Sequence, residues 1–328
     1  MVTQILQPTE ANILRCAATL KLGGLVAFPT ETVYALGCVA TSADAVKKVF
    51  AVKDRPTDRA LIVAVSKKSD IASVAAEIND KAQILIDKFM PGALTVLLDR
   101  APCIPDEVTA GTNSVAVRIP DNAIARRLIE LTGKPVVVPS ANTSDKSAPT
   151  LAAHVKDDLD GKIELILDGG ESAIGIESTI VDTRTVPPTI VRAGAVTVEQ
   201  ITEAIGEVQF KSARPASHNQ KYIPRSEVLF SAYYAGMRDN VASRYDRLTD
   251  EGRKAVILCL DDGKAFYGAR NTIAVGKTYE DYAHSLFATL RRADDENYDV
   301  VIAEGVKPDG IGKTLIARLI KIANGNII

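Results

Sequence analysis

Paired cysteines, histidine clusters, long apolar runs and an excess of positive charge are all missing from this chain, and each absence removes a class of protein. Its four cysteines, Cys16, Cys38, Cys103 and Cys259, form no Cys-x-x-Cys pair. That excludes a zinc ribbon and a disulfide framework, suits a reducing cytoplasm, and leaves all four expected as small core residues. The three histidines, His154, His218 and His284, lie far apart. A Ser/His/Asp triad and a histidine metal site are therefore poorly supported, and metal ligands stay unassigned. No apolar run reaches the roughly 18 residues that span a bilayer. Residues 1–7 have neither the basic nor the long apolar region of a signal peptide, so a cytoplasmic protein without membrane association is expected. The net charge is −2. Any phosphate or nucleic-acid binding must come from a local patch.

What is present is a globular composition, 46% hydrophobic and 24% charged, over 328 residues, which predicts about two domains. Up to residue 206, strands and helices alternate. Helices are expected over 12–22, 44–52 (capped by Ser42 or Asp44), 80–89 and 198–205. Strands are expected over 24–28, 61–65, 94–98, 115–119, 136–138, 165–167, 179–182 and 189–192. This mixture predicts an α/β domain with a large twisted sheet. Residues 207–227 carry two prolines and several cations without a clear period, and composition leaves a lid and a tether equally open. From 228 to 328 a smaller Rossmann-like α/β pattern follows, with strands over 255–260, 273–276 and 300–303 and helices over 279–293 and 311–323. Its Gly310-Ile311-Gly312-Lys313-Thr314 resembles the tail of a phosphate loop. The first glycine of such a loop would fall at Lys307, so a turn before a helix is the expected use.

The chemistry concentrates in the first domain. Pro29-Thr30-Glu31-Thr32 ends an apolar strand with hydroxyls and an acid, and Lys53-Asp54-Arg55-Pro56 closes a helix with cations expected at the surface. Lys47 and Lys48 read as a solvated helix face. Lys53 and Arg55, at the helix exit, are placed to converge on a phosphate, one as a point charge and one as a planar fork. Arg118 sits inside the apolar strand Val115-Ala116-Val117-Arg118-Ile119. A cation there is costly unless it is ion-paired or points into a cavity. A structural pair and a grip on an anionic ligand weigh evenly, and Arg192 repeats the situation. Ser140 in Pro139-Ser140-Ala141-Asn142 and Ser178 in the 175–180 stretch stand at strand edges, where hydroxyls and amides can meet a ligand.

Taken in order, PTETVYALG (29–37), KDRP (53–56), LIVAV (61–65), MPGALTVLL (90–98), VTAGTNSVAVRIP (108–120), PSAN (139–142), DGG (168–170), ESTIVD (177–182) and VRAG (191–194) resemble the YrdC/Sua5 family, the threonylcarbamoyl-AMP synthases, in its long two-domain form. Gly310-Ile311-Gly312 and Ala317-Arg318-Leu319 resemble its C-terminal domain more weakly. The resemblance implies a YrdC-like twisted mixed sheet with flanking helices and a basic cavity over 1–206, a linker or lid over 207–227, and a Sua5 C-terminal domain over 228–328.

It also implies a reaction. L-Threonine, bicarbonate and ATP, with Mg²⁺, would give threonylcarbamoyl-adenylate and pyrophosphate. A downstream tRNA threonylcarbamoyl transferase complex would use the product to modify adenosine 37 of tRNAs. By similarity, Thr30, Arg118, Ser178 and the Val138 backbone would hold threonine. Lys53 and Arg55 would carry the catalytic charge on the phosphates. Lys53, Thr57, Ser114, Ser140, Ala148, Arg192 and the linker's Asn219 would bind ATP. Ala35 stands where the family usually has Gly, Ala64 where a His is common, and Lys221-Tyr222 where His-Tyr is usual. Two other readings compete: a non-catalytic RNA-binding module with weak tRNA affinity, and a carbamoyl-transfer enzyme. The net charge lowers the first and the missing Cys-x-x-Cys pairs lower the second.

Overall fold

A computed structural model describes residues 2–144, 146–210 and 224–328. The chain divides into two compact units, 1–144 with 148–214 and 145–147 with 215–328. In the first, in chain order, are β1 (Gln4–Leu6), α1 (Glu10–Lys21), β2 (Val26–Phe28), β3 (Ala35–Val39), α2 (Ala43–Val52), β4 (Ile62–Ala64), α3 (Asp80–Phe89), β5 (Leu94–Asp99), α4 (Asp106–Thr109) and β6 (Ser114–Arg118). Then come α5 (Ala123–Thr132), β7 (Val136–Val137), α6 (Ala152–Leu159), β8 (Leu165–Leu167), β9 (Thr179–Asp182), β10 (Thr189–Arg192), α7 (Val198–Ile205) and β11 (Gln209–Phe210). Local chemistry sets the helix starts. The Thr9 hydroxyl accepts the Asn12 amide at the head of α1, Ser42 rather than Asp44 caps α2, and Thr197 with Gln200 forms a capping box on α7.

Among the described residues the sheet has eleven strands in the order β1-β8-β2-β3-β7-β4-β6-β5-β9-β10-β11. It is mixed: β4 and β6 run parallel, as do β5 and β9, while β5 and β6 are antiparallel. The two-residue period separates its faces. Val63, Val96, Leu98, Val115, Val117 and Val181 enter one core cluster with residues of α2, α3, α6 and α7. Among the described residues of this unit, helices cover the opposite face only in part. There α1 and α5 pack on β2, β3 and β7 and reach Ala64. Along β4, β5, β6 and β9 the same face carries Ile62, Leu97, Ser114, Ala116 and Ile180, all half-buried, beside buried Thr95 and Arg118. This uncovered half is the ground on which a site can form.

The second unit holds β12 (Glu227–Ser231), α8 (Met237–Asp250), β13 (Ala255–Cys259), α9 (Asp261–Tyr267), β14 (Thr272–Ala274), α10 (Tyr279–Asp295), β15 (Val300–Glu304) and α11 (Ile311–Ile322). Its four strands lie in the order β12-β15-β13-β14 and all pair in parallel, a small doubly wound sheet. Gly310 does cap α11. A Cβ on Gly312 would lie 2.1 Å from the Lys307 carbonyl oxygen, so this glycine serves close packing of the turn. Within the stretch expected as linker, Gln209–Phe210 pairs with β10 and Glu227 opens β12. One expectation about cysteine fails: Cys16, Cys38 and Cys259 are buried, but Cys103 is exposed, because it falls in the turn between β5 and α4. Among the described residues no helix is long and apolar enough to cross a membrane.

Candidate active site

Arg118 ends β6 on the uncovered face and is only 6% exposed. Its guanidinium donates to Glu31 Oε1 at 2.6 Å, to Thr32 Oγ1 at 2.9 Å and, through Nε, to the Gly92 carbonyl at 3.3 Å. The ion pair weighed from sequence is therefore present, with Glu31 as the partner. Among the described residues three of the five guanidinium N–H groups find partners and two do not. The Thr30 hydroxyl donates to the Val33 carbonyl at 2.6 Å, so Thr32 is the donor in the 2.8 Å contact between their hydroxyls. Thr30 thus holds its own turn. The turn is further tied by the Ile174 amide to the Glu31 carbonyl and the Gly175 amide to the Thr32 carbonyl. Tyr34, fully buried, donates to the Gly170 carbonyl at 2.7 Å. Burial pushes its hydroxyl pKa well up, so it acts as a neutral stitch.

A second network lies on the same face. The antiparallel register Val96↔Val117 makes Thr95 the neighbour of Arg118. The Thr95 and Ser178 hydroxyls meet at 2.8 Å, and Arg192 donates to the Ser178 carbonyl at 2.8 Å and to its hydroxyl at 3.1 Å. Beside it the chain at Gly194 packs on the segment that leads into β9: a Cβ there would lie 2.4 Å from the Glu177 carbonyl oxygen.

Lys53 departs from the surface position expected of it. It is the C-cap of α2 and only 2% exposed. Its ammonium donates to the carbonyls of Ser140 and Asn142, while its own carbonyl accepts the Ser144 amide at 2.9 Å. The helix exit and the Pro139–Asn142 loop are thereby one piece, which turns the side chain inward. Burial, then the charge of Arg55, pulls the Lys53 pKa from 10.5 down to about 7, against an opposing pull from Asp158. Arg55 is half-buried and donates to the Ala60 carbonyl at 3.2 Å. Burial and then Arg59 lower its pKa to about 10.

Ser140 is held against Ala35 by a β-bridge, and Val138 donates its amide to the Ile62 carbonyl at 2.8 Å. Extending the register Ile62↔Ala116 puts Ser114 beside Ala60, the carbonyl that Arg55 holds. Thr57 is exposed and Ala148 is buried. Asn219 and Lys221-Tyr222 lie outside the described residues. Ala64 pairs with Arg118 and is fully buried under α5. Sequence reasoning passed over Glu31 and Thr95 as site members. The signal for Glu31 was available: a cation in an apolar strand demands an acid, and the 29–34 turn supplies one.

A family model described as "Telomere recombination" matches residues 18–194, and one described as "Threonylcarbamoyl-AMP synthase, C-terminal domain" matches 196–324. The threonylcarbamoyl-AMP synthase of Pyrococcus abyssi is 38% identical over 97% of this chain and 96% of its own. That of Bacillus subtilis is 37% identical over 100% of this chain and 97% of its own. The chain belongs to the threonylcarbamoyl-AMP synthase family. Members of this family are enzymes of the nucleotidyl-transfer type that serve tRNA modification. A solved structure of P. abyssi Sua5 complexed with L-threonine superposes with a TM-score of 0.93 at 36% identity, covering 99% of both chains. The Escherichia coli YciO structure shares the first unit's fold, at 23% identity over 58% of this chain. The mixed first sheet and the separate parallel second sheet are those of a two-domain family member.

Proposed function

We propose that this chain makes threonylcarbamoyl-AMP and pyrophosphate from L-threonine, bicarbonate and ATP, for the threonylcarbamoyl modification of tRNA. The observation that carries the reading is Arg118: a buried guanidinium bonded to Glu31 and Thr32, with two N–H groups left over among the described residues and with Thr95, itself linked to Ser178, as its register neighbour. Such an arrangement suits a small amino acid's carboxylate. The unprotonated threonine nitrogen attacks the bicarbonate carbon, a carbamate forms and water leaves. A carbamate oxygen then attacks the α-phosphorus of ATP while the bond to the β-phosphate breaks and pyrophosphate departs. No protein nucleophile is required. Positioning and charge stabilisation supply the acceleration.

Threonine would sit against Arg118, Ser178 and the Val138 backbone, with Thr30 shaping the turn. Lys53, through its hold on the Ser140 and Asn142 carbonyls, would aim that loop at the phosphates together with Arg55, Thr57, Ser114, Ala148, Arg192 and Asn219. Magnesium would arrive with the nucleotide. Among the described residues no group of three His, Cys, Asp or Glu side chains is built to hold a metal, and Glu31 is engaged with Arg118. Phosphate oxygens and water are the ligands such a site offers, which suits Mg²⁺; bound there it would offset phosphate charge. The domain limits 1–206, 207–227 and 228–328, a cytoplasmic location and delivery of the product to a tRNA-modifying transferase belong to the same reading.

The test is pyrophosphate release from ATP with Mg²⁺, with and without L-threonine and bicarbonate. Release that requires both is expected. Release indifferent to threonine, or none from folded protein, would overturn the proposal.

A further inference from the structure

Glu31 uses one carboxylate oxygen on Arg118. The other, Oε2, is buried and meets no hydrogen-bond donor among the described residues, in a residue 7% exposed. A buried carboxylate oxygen without a donor is costly and calls for a partner. The pair is electrically neutral, Arg118 offering two N–H groups and Glu31 one acceptor that find no partner among the described residues. A neutral dipole of this kind complements a molecule that carries one positive and one negative group a few bonds apart. The α-amino-acid zwitterion has that form.

Resting on the reading that this site takes threonine, we propose that Glu31 Oε2 receives the substrate's α-ammonium while Arg118 receives its carboxylate. Glu31 is then a specificity-determining residue that distinguishes an amino acid from a simple carboxylic acid. It has two functions: Oε1 fixes the guanidinium, and Oε2 touches the substrate nitrogen. The ammonium gives one proton to solvent before its nitrogen attacks, and after carbamoylation the nitrogen still carries one N–H, which keeps the same acceptor occupied through the adenylation step.

The experiment compares L-threonine with (R)-3-hydroxybutanoate, which lacks the amino group, by ligand-observed NMR on the full chain. Wild type should bind threonine at least about tenfold more tightly. Glu31→Gln should erase that preference, weakening threonine about tenfold while 3-hydroxybutanoate holds within about threefold or tightens as Arg118 is released. Glu31→Asp should recover part of the preference. ATP affinity, unchanged within about threefold, reports that each variant is folded. Should the variants fail to fold, wild type alone decides: threonine affinity should fall as pH rises through titration of its amino group, with 3-hydroxybutanoate unaffected. Equal losses for both ligands in Glu31→Gln, or a threonine affinity flat with pH, would overturn the role of Oε2 and leave Glu31 as a support for Arg118. Failure of wild type to bind threonine would instead overturn the threonine reading itself.

Discussion

Each unit sets an Arg–Glu pair at the end of a strand, and the pairs differ in burial, since Arg238 of the second is only half-buried, and in what else reaches the arginine. In the first, Arg118 meets Glu31 at 2.6 Å with both side chains under 10% exposed, and its other contacts are a hydroxyl and a carbonyl. In the second, Arg238 meets Glu304 at the same 2.6 Å but also Asp262 at 2.9 Å. Two carboxylates against one guanidinium leave the second cluster acidic, and one leaves the first neutral. Lys53 completes the series: buried, with two carbonyls and, among the described residues, no carboxylate at hydrogen-bonding distance. The number of acidic partners therefore ranks these cations from strut to receptor, since each added partner removes the incentive to bind an anionic ligand.

The largest effect should come from the cation with no acidic partner. Lys53→Ala should abolish threonine-dependent pyrophosphate release, a loss of at least about a hundredfold or ~2.7 kcal/mol in the barrier. The depressed Lys53 pKa has a second consequence. A folded value of about 7 against 10.5 unfolded means that the folded state disfavours the proton. Stability is then fullest above pH 10.5 and is lost as pH falls through about 7. A triphosphate beside Lys53 would reverse that preference. Calorimetry of ATP binding near pH 7–8, in buffers of different ionisation enthalpy, should report proton uptake in wild type and none in Lys53→Met. Uptake that persists in the variant would remove Lys53 from the phosphate site.

Next in size is the contrast between the two arginines. Arg118→Ala should weaken threonine binding about a hundredfold and, by leaving Glu31 buried and alone, destabilise the fold by about 3–5 kcal/mol. Arg238→Ala should leave turnover within about threefold of wild type. Calorimetry and steady-state rates check both. If Arg238→Ala were as damaging to turnover as Arg118→Ala, counting acidic partners would not separate receptor from strut.

How far these features are legible in the sequence follows from the same contrast. Arg118 announces itself because a cation flanked by valines must be paired or must face a ligand. Its partner is harder to find, since Glu31 lies 87 positions away and only the folded turn brings it near. Lys53 misleads because a lysine leaving a helix ordinarily points to water, and here the Ser144 amide and two loop carbonyls draw it inward. Strands of the first sheet with strong apolar runs, such as 165–167 and 179–182, match the structure to the residue. The edge strands β1 and β11 are too short, at three and two residues, to leave a period. β3 is buried along its whole length, and its first three residues are the end of the PTETVYALG motif. α8 is missed because charged residues interrupt its inward stripe of Met237, Val241, Ala242, Tyr245 and Leu248.

The smallest effect belongs to the strut itself and is one of stability rather than turnover. Glu304 ends β15, 5% exposed, with its Oε2 lacking a hydrogen bond and the fully buried Tyr267 hydroxyl close by. Burial raises its pKa above the ordinary 4.5, and the hydrogen bond and charge of Arg238 only partly oppose this. The folded unit therefore binds this proton more tightly than the unfolded chain does. Its contribution to stability is complete below pH 4.5 and declines as pH rises through the folded value. Hydrogen exchange at the β15 amides should show protection falling across that window in wild type. In Glu304→Gln the slope should vanish, with turnover unaltered, because the amide keeps an oxygen for Arg238 and has no proton to lose. A slope that survives the substitution would assign the titration to Asp262 or another acid, and would mean that Glu304 stays ionised beside Arg238, as a salt bridge in the full sense.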